Sequence, residues 1–336
     1  MARSRRIVVK DGIYHVMSRT VNGEFFFADE AKETMRRMVH AVAEFSGVEV
    51  LTYCLMSNHF HLLVRVPDGA GVVLSDEELV RRYRVLVGAS VGKRKTKRAL
   101  VYAPYTPEQV ERRLAKGGAD AEVMREQLRS RMYDLSEFMK TLKQRMSIWY
   151  NSTRDRYGPV WCDRFKSVLV EGRKEVLLVM AAYIDLNPVR AGLVEDPGKY
   201  RYCGYAEALG GSVCLREGLR RVTGVTAEVG DWRVVLSEYR KLLLTSGSGP
   251  KAGKGRLDVD EVREILETGE GDLTAGELLG YRLRYMVSGA VLGSEAWVCE
   301  QLEGVKEALG RKLAVKPKVL RGLGVTSGKG LRREVS

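Results

Sequence analysis

The stretch Ser57-Asn58-His59-Phe60-His61-Leu62-Leu63-Val64 decides how this chain is read. The sequence holds only four histidines, and two of them stand one residue apart inside an apolar, β-prone run. In an extended strand successive side chains point to opposite faces, so His59 and His61 share one face while Phe60, Leu62 and Val64 share the other. Two imidazoles on one sheet face make half a metal site; equally, they make a pair of partly buried packing histidines. Val48 to Met56 reads as a preceding strand and Ser57-Asn58 as a tight connection, which sets the pair near a hairpin end on an inner strand.

Toward the N-terminus, a first strand is expected over roughly Ile13 to Arg19. Ahead of it lies a basic arm, Arg3, Arg5 and Arg6, that either tracks phosphates or is a solvated terminus. Past Asn22-Gly23, the segment from about Asp29 to Ser46 sets Ala31, Met35, Met38, Val39, Val42 and Phe45 on one helical stripe. Gly47 closes that helix, and His40 reads as a helix-surface histidine. Strand, helix, strand, tight connection, strand is the first half of a ferredoxin-like βαββ unit, so the histidines are expected on an antiparallel sheet.

Toward the C-terminus, residues from about 68 to 134 read as an elaboration. It carries the basic run Lys93 to Arg98, either a solvated loop or a DNA-backbone contact. Thr106-Pro107-Glu108-Gln109 then carries the marks of a helix start and predicts a charged helix to about Arg131. From Leu135 to Asn151 an amphipathic helix turns Leu135, Phe138, Met139, Leu142, Met146 and Trp149 inward, with Lys140, Lys143 and Arg145 on its polar side. Arg154, Arg156, Arg164 and Lys166 follow, interleaved with Tyr157, Trp161 and Phe165, a mixture that suits a groove for single-stranded nucleic acid. Trp161 and Phe165 also read as core. A strand over Phe165 to Val170 and a helix over about Arg173 to Leu186 come next. Tyr183 and Asn187 are four apart and so share a helix face, and Pro188 is expected to end the helix at Asn187.

At 336 residues and 45% hydrophobic content, the chain is large enough for a folded core and two domains. A formal net charge of +13 makes a polyanion, nucleic acid first, the expected partner. No apolar run of about 18 residues suggests a membrane span. The five cysteines are scattered, with no Cys-x-x-Cys, which argues against a zinc ribbon, a zinc deaminase or a disulfide framework, and for a reducing cytoplasm. No P-loop is present, so no nucleotide cofactor is expected. Past about Gly210 a helix over Asp231 to Leu244 leads to the Gly/Ser-rich linker Thr245 to Gly255. Helices are expected over about 259–268, 274–287 and 294–309, conceivably a helix-turn-helix with Arg282 and Arg284, and then a basic, Gly-rich tail that orders on nucleic acid.

Three separated motifs, taken together, resemble the single-tyrosine HUH transposases, in particular the REP-associated tyrosine transposase branch. They are Met56 to Val64; Asn151 with Gly158-Pro159-Val160-Trp161 and Arg164 to Ser167; and Tyr183-Ile184-Asp185-Leu186-Asn187-Pro188-Val189-Arg190-Ala191-Gly192. The resemblance spans roughly residues 8 to 210. It implies an α+β fold: a ferredoxin-like antiparallel sheet with flanking helices, the HUH nuclease core, over 1–210 with the insertion at about 68–134. Residues 211–336 would then be a mainly helical, basic accessory region. It further implies that His59, His61 and Asn187 hold Mg²⁺ or Mn²⁺, with imidazole favouring Mn²⁺, and that Tyr183 is the nucleophile; Tyr150, also near a helix end, is the fallback. Arg3, Arg5, Arg6, Lys143, Arg154, Arg156, Arg164, Lys166 and Arg190 are the candidate DNA contacts. The implied partner is single-stranded DNA beside a REP-like hairpin, handled by a nucleoid-associated monomer or homodimer. A domesticated, non-catalytic hairpin binder and a metallohydrolase that forms no covalent adduct are the other readings.

Overall fold

The computed structural model describes residues 7–88, 104–226, 231–245, 285–309 and 317–328. Arg3, Arg5, Arg6, the Lys93 to Arg98 run, the linker past Thr245, the expected helix at 259–268, Arg282, Arg284 and the tail beyond 328 lie outside the described residues.

The first half folds as its periodicities require. Strand β1 (Ile13–Arg19) leads to α1 (Asp29–Ser46), whose end is marked by Gly47 at φ 69, the left-handed position where glycine carries no Cβ penalty. Then come β2 (Glu49–Leu55) and β3 (His59–Arg65). After α2 (Asp76–Gly88), the expected charged helix is two helices, α3 (Pro107–Lys116) and α4 (Gly118–Arg129). The Thr106/Gln109 capping box starts α3 as expected, but Gly117 and Gly118, at φ 66 and 70, break the run before Arg131. Next are α5 (Leu135–Thr153), β4 (Lys166–Val170), α6 (Lys174–Asp185) and a single turn, α7 (Asn187–Arg190). Pro188 does not stop helical structure at Asn187: a proline in the first turn lacks only an N–H that would have no intrahelical acceptor there, so the turn resumes across it.

Helices α8 (Gly204–Leu209), α9 (Val213–Thr223) and α10 (Trp232–Thr245) follow, and past the undescribed 246–284 stand α11 (Tyr285–Ser288), β5 (Val291–Gly293), α12 (Glu295–Leu309), β6 (Lys318–Leu320) and β7 (Val325–Ser327). The sheet order is β2-β3-β1-β4-β5-β7-β6. Its first four strands are antiparallel in the ferredoxin-like order, with β3 inserted between β1 and β2. Beyond β4 the sheet becomes mixed, because β5 joins parallel and β7 and β6 antiparallel. The C-terminal region is therefore not simply helical. The described part of the basic tail contributes β6 and β7, which short local patterns could not announce because their partner strands are remote in sequence.

The two sheet faces carry different loads. On one lie Tyr53 and Phe60, with α1 above Tyr53 and α5 against α1. Arg145, read as part of the polar side of α5, is instead buried and donates to the Leu86 carbonyl at the end of α2. On the other face α6 crosses β2 and β3. Gly218 lets α9 lie against the β2 backbone, where a Cβ would stand 2.5 Å from the Leu51 oxygen. Around the same edge Leu55 N–H donates to the Tyr202 carbonyl at 2.9 Å. Glu207 on α8 accepts from Arg36 at 2.8 Å, from His40 at 3.0 Å and from Tyr53. His40 is thus no bare surface histidine. Burial disfavours its charge, but hydrogen bonds to Cys214 and Glu207 outweigh that and lift its pKa to about 9.

Asp185, wholly buried, ends α6 and accepts from Thr52 Oγ1 at 2.8 Å, Tyr239 Oη at 2.6 Å and the Tyr205 amide at 3.4 Å. Burial raises its pKa to about 7 and the three hydrogen bonds only partly oppose this. A carboxyl with a folded pKa above its unfolded value binds its proton more tightly when folded. Its contribution therefore weakens stability as pH rises toward 7 and is level above that. Lowering the pH from about 8 to about 5.5 should stabilise the wild type by roughly 2 kcal/mol more than Asp185→Asn, read as the difference between urea unfolding curves. Equal responses of the two proteins would mean that Asp185 is ionised at both pH values.

Candidate functional site

Side chains directly opposite each other in an antiparallel pair share a face. Met17 pairs with His61 and Arg19 with His59 across β1 and β3, and Met17 pairs with Lys166 across β1 and β4. One face of the sheet therefore carries His15, Arg19, His59, His61 and Lys166 together. Helix α6 lies over this face. The Tyr183 ring meets the rings of His61 and His15 edge-on, each at a centroid distance of 6.2 Å. Spacing put His59 and His61 on one face; that Tyr183, more than a hundred residues further along the chain, lies beside His61 is a finding of the tertiary structure.

His59 and His61 stand with ring centroids 5.2 Å apart and nearly perpendicular planes. His59 is half-buried, and its Nδ1 is 2.7 Å from Asn58 Oδ1. An amide oxygen only accepts, so Nδ1 carries the proton, and in the neutral ring Nε2 carries the lone pair. His61 is 2% exposed, with its own Nδ1 held by the ring of His15. Burial holds the His61 imidazole well below its ordinary pKa, and His15, His59, Arg190 and Arg19 push the same way, so it is neutral near pH 7. Two imidazoles, each tied back through one nitrogen, are a donor pair suited to a divalent cation.

Asn187, the amide that the motif resemblance joins to these histidines, stands in the turn after α6. Its amide nitrogen donates to the Tyr183 and Ile184 carbonyls at 3.2 and 3.0 Å, which leaves the oxygen as the atom suited to a cation. No group of three His, Cys, Asp or Glu side chains able to hold a metal occurs among the described residues. The Mg²⁺ or Mn²⁺ expected from the motifs fits two imidazoles and one amide oxygen.

Tyr183 itself is only 2% exposed. The Arg190 guanidinium lies over its ring at 4.2 Å and also donates to the Tyr183 carbonyl at 2.6 Å. The other cations are dispersed. Arg164 and Lys166 are exposed, Lys166 on the histidine face. Arg154 pairs with Glu30 at 3.0 Å, and Arg156 stacks over Phe26 at 4.5 Å while donating to the Pro159 carbonyl. Lys143 donates to the Asp163 carbonyl at 2.7 Å beside Trp161, and burial pushes its pKa down to about 8. Tyr157 is exposed, whereas Trp161 packs between Phe27 and Phe60 as the core reading held. Tyr150 stacks on Phe26 at 5.0 Å rather than on a histidine.

Sequence reasoning missed two residues. Arg19, exposed and opposite His59, reads in the sequence only as the end of a strand; its register against His59 is the available signal. His15 was passed over because a lone histidine in a strand carries no pattern.

Residues 8–83 match the profile of the family described as "Transposase IS200 like". The matched stretch contains His15, His59 and His61 and ends before α5, Tyr183 and Asn187. No curated protein matches the chain. Among solved structures, a REP-associated tyrosine transposase bound to a REP hairpin is similar at 13% identity, over 63% of this chain and 88% of that one, with a TM-score of 0.38.

The stacking of Arg190 on Tyr183 generates an expectation of its own. Arg190→Ala should uncover one face of the ring, so that nitration of Tyr183 by tetranitromethane, read by peptide mass spectrometry, rises several-fold over wild type. Unchanged nitration would mean that other side chains close the ring off.

Proposed function

We propose that this chain, which carries an IS200-like transposase domain, cleaves and rejoins single-stranded DNA through a covalent bond to Tyr183. The observation that carries the reading is that Tyr183 of α6 lies edge-on to His61 on the His59/His61 face of β3, with Asn187 in the α7 turn that follows and bonded to the Tyr183 carbonyl. The substrate is single-stranded DNA beside a hairpin repeat, the REP-like class that the motif resemblance implies.

In this reading His59, His61 and Asn187 hold Mg²⁺ or Mn²⁺, which supplies Lewis-acid polarisation of the scissile phosphate when bound. The chain's own residues do the rest. Arg19 and Lys166, on the histidine face, attract and orient the phosphodiester. Arg190 leaves the Tyr183 ring for a DNA phosphate, an exchange of a cation–π contact of about 1–2 kcal/mol for a charge-assisted hydrogen bond. The Tyr183 phenol oxygen then attacks phosphorus and loses its proton. The bond from phosphorus to the 3′ oxygen breaks, and that oxygen takes up a proton as the 3′-OH. A 5′-phosphotyrosine remains, and the bond energy it retains allows a second 3′-OH to reverse the step without a nucleotide cofactor. Arg164 and the exposed Tyr157 extend the contact surface for the strand.

A non-catalytic hairpin-binding protein is the second reading, and the burial of Tyr183 under Arg190 is the observation that favours it. Both are decided on a denaturing gel with a labelled single-stranded oligonucleotide carrying a palindromic repeat, in Mn²⁺, Mg²⁺ or chelator. The expected result is a metal-dependent adduct in the wild type that vanishes in Tyr183→Phe while hairpin binding persists. An adduct that survives Tyr183→Phe would remove Tyr183 from the chemistry, and tight binding with no adduct in any metal would favour the binder.

A further inference from the structure

His15 lies on β1 with 1% of its surface exposed, its ring nearly coplanar with that of His61, the planes 18° apart and the centroids 5.1 Å apart. Its Nε2 stands 2.8 Å from His61 Nδ1, and its Nδ1 stands 2.8 Å from the backbone carbonyl oxygen of Met286, 271 residues further along the chain. Three groups thus form a line: carbonyl, imidazole, imidazole.

We infer that His15 is a positioning residue that fixes the tautomer and ring orientation of His61, with its own orientation set by the Met286 carbonyl in the C-terminal region. The direction of the line follows from the one member that cannot donate. A carbonyl oxygen only accepts, so the proton between it and His15 belongs to His15 Nδ1. In the neutral ring His15 Nε2 then carries the lone pair and accepts. The proton it accepts is that on His61 Nδ1, so His61 Nε2 carries a lone pair. A ring locked by one nitrogen and turned outward by the other is how proteins prepare a metal-ligating histidine, although the usual outer partner is a carboxylate, a carbonyl or water. Here a second imidazole transmits the preference of a carbonyl. His59 needs no such relay, because Asn58 Oδ1 serves its Nδ1 directly.

The consequence reaches past the motif-bearing half of the chain. Met286 belongs to α11, just before β5, which pairs with β4. The segment that extends the sheet therefore also supplies the terminal acceptor for the histidine site. This inference rests on the reading of His61 as a cation ligand, and the test separates the two.

Metal-free protein labelled with ¹⁵N at histidine would be examined by long-range ¹H–¹⁵N correlation, and Mn²⁺ affinity would be measured by electron paramagnetic resonance of free Mn²⁺. The wild type should show both His15 and His61 as the Nδ1–H tautomer. His15→Phe removes the acceptor, so His61 should shift toward the Nε2–H form and Mn²⁺ affinity should fall about 10–100-fold. In His15→Gln the side-chain oxygen reaches the place of Nε2 and accepts the same proton, so the His61 tautomer and most of the affinity should return. An Nε2–H His61 in the wild type overturns the inference without need of any variant. So does a His15→Phe protein with unchanged tautomer and unchanged affinity. A wild type with the stated tautomers, shifted as expected by His15→Phe but binding no Mn²⁺, would uphold the proton line and overturn the cation reading of the site.

Discussion

A fully buried carboxyl group fixes where the tyrosine helix lies. Asp185 sits two residues beyond Tyr183 and is bonded at once to β2 through Thr52, to α10 through Tyr239 and to the start of α8 through the Tyr205 amide. A buried acid is tolerable only when its oxygens are satisfied, so α6 cannot roll or slide without breaking bonds whose loss costs the full desolvation of the group. That constraint sets the helix rotation, and the rotation brings Tyr183 over His15 and His61. The helix is apolar enough to pack in several ways; the acid at its end selects one.

The sheet beneath divides its work by the parity of its residues. Phe60, Leu62 and Val64 of β3 feed the core, while His59 and His61, alternating with them, occupy the face under α6. Polar rings buried there have to be hydrogen-bonded, and the line through His15 to the Met286 carbonyl meets that requirement at the innermost position. The same alternation places Arg19 and Lys166 on the histidine face, so positive charge gathers beside the histidines.

The charge of the chain is less concentrated than its sum suggests. Arg36 is bound to Glu207 and Glu33, Arg125 to Asp76, Arg154 to Glu30, and Lys143 to a backbone carbonyl beside a tryptophan. Those cations hold elements together. Arg19, Arg164 and Lys166 are exposed, and Arg190 covers the tyrosine, so a polyanion would compete for it with an aromatic ring.

Local pattern was enough to determine a good part of this molecule. The strand-helix-strand-strand opening, the Gly47 helix end, the Thr106 capping box, the common face of His59 and His61 and the adjacency of Tyr183 to Asn187 all follow from periods and spacings of a few residues. Such features depend on backbone geometry, and backbone geometry is written in neighbouring side chains. Only the tertiary structure decided that β5, β6 and β7 extend the sheet, that Arg145 turns inward, that Tyr183 is buried under Arg190, and that His15 stands behind His61 with its proton directed by a carbonyl 271 residues away. Each of these depends on which distant surfaces come to share a desolvated space, and neither the pairing of remote strands nor the partner of a buried ring leaves a periodic trace in the sequence.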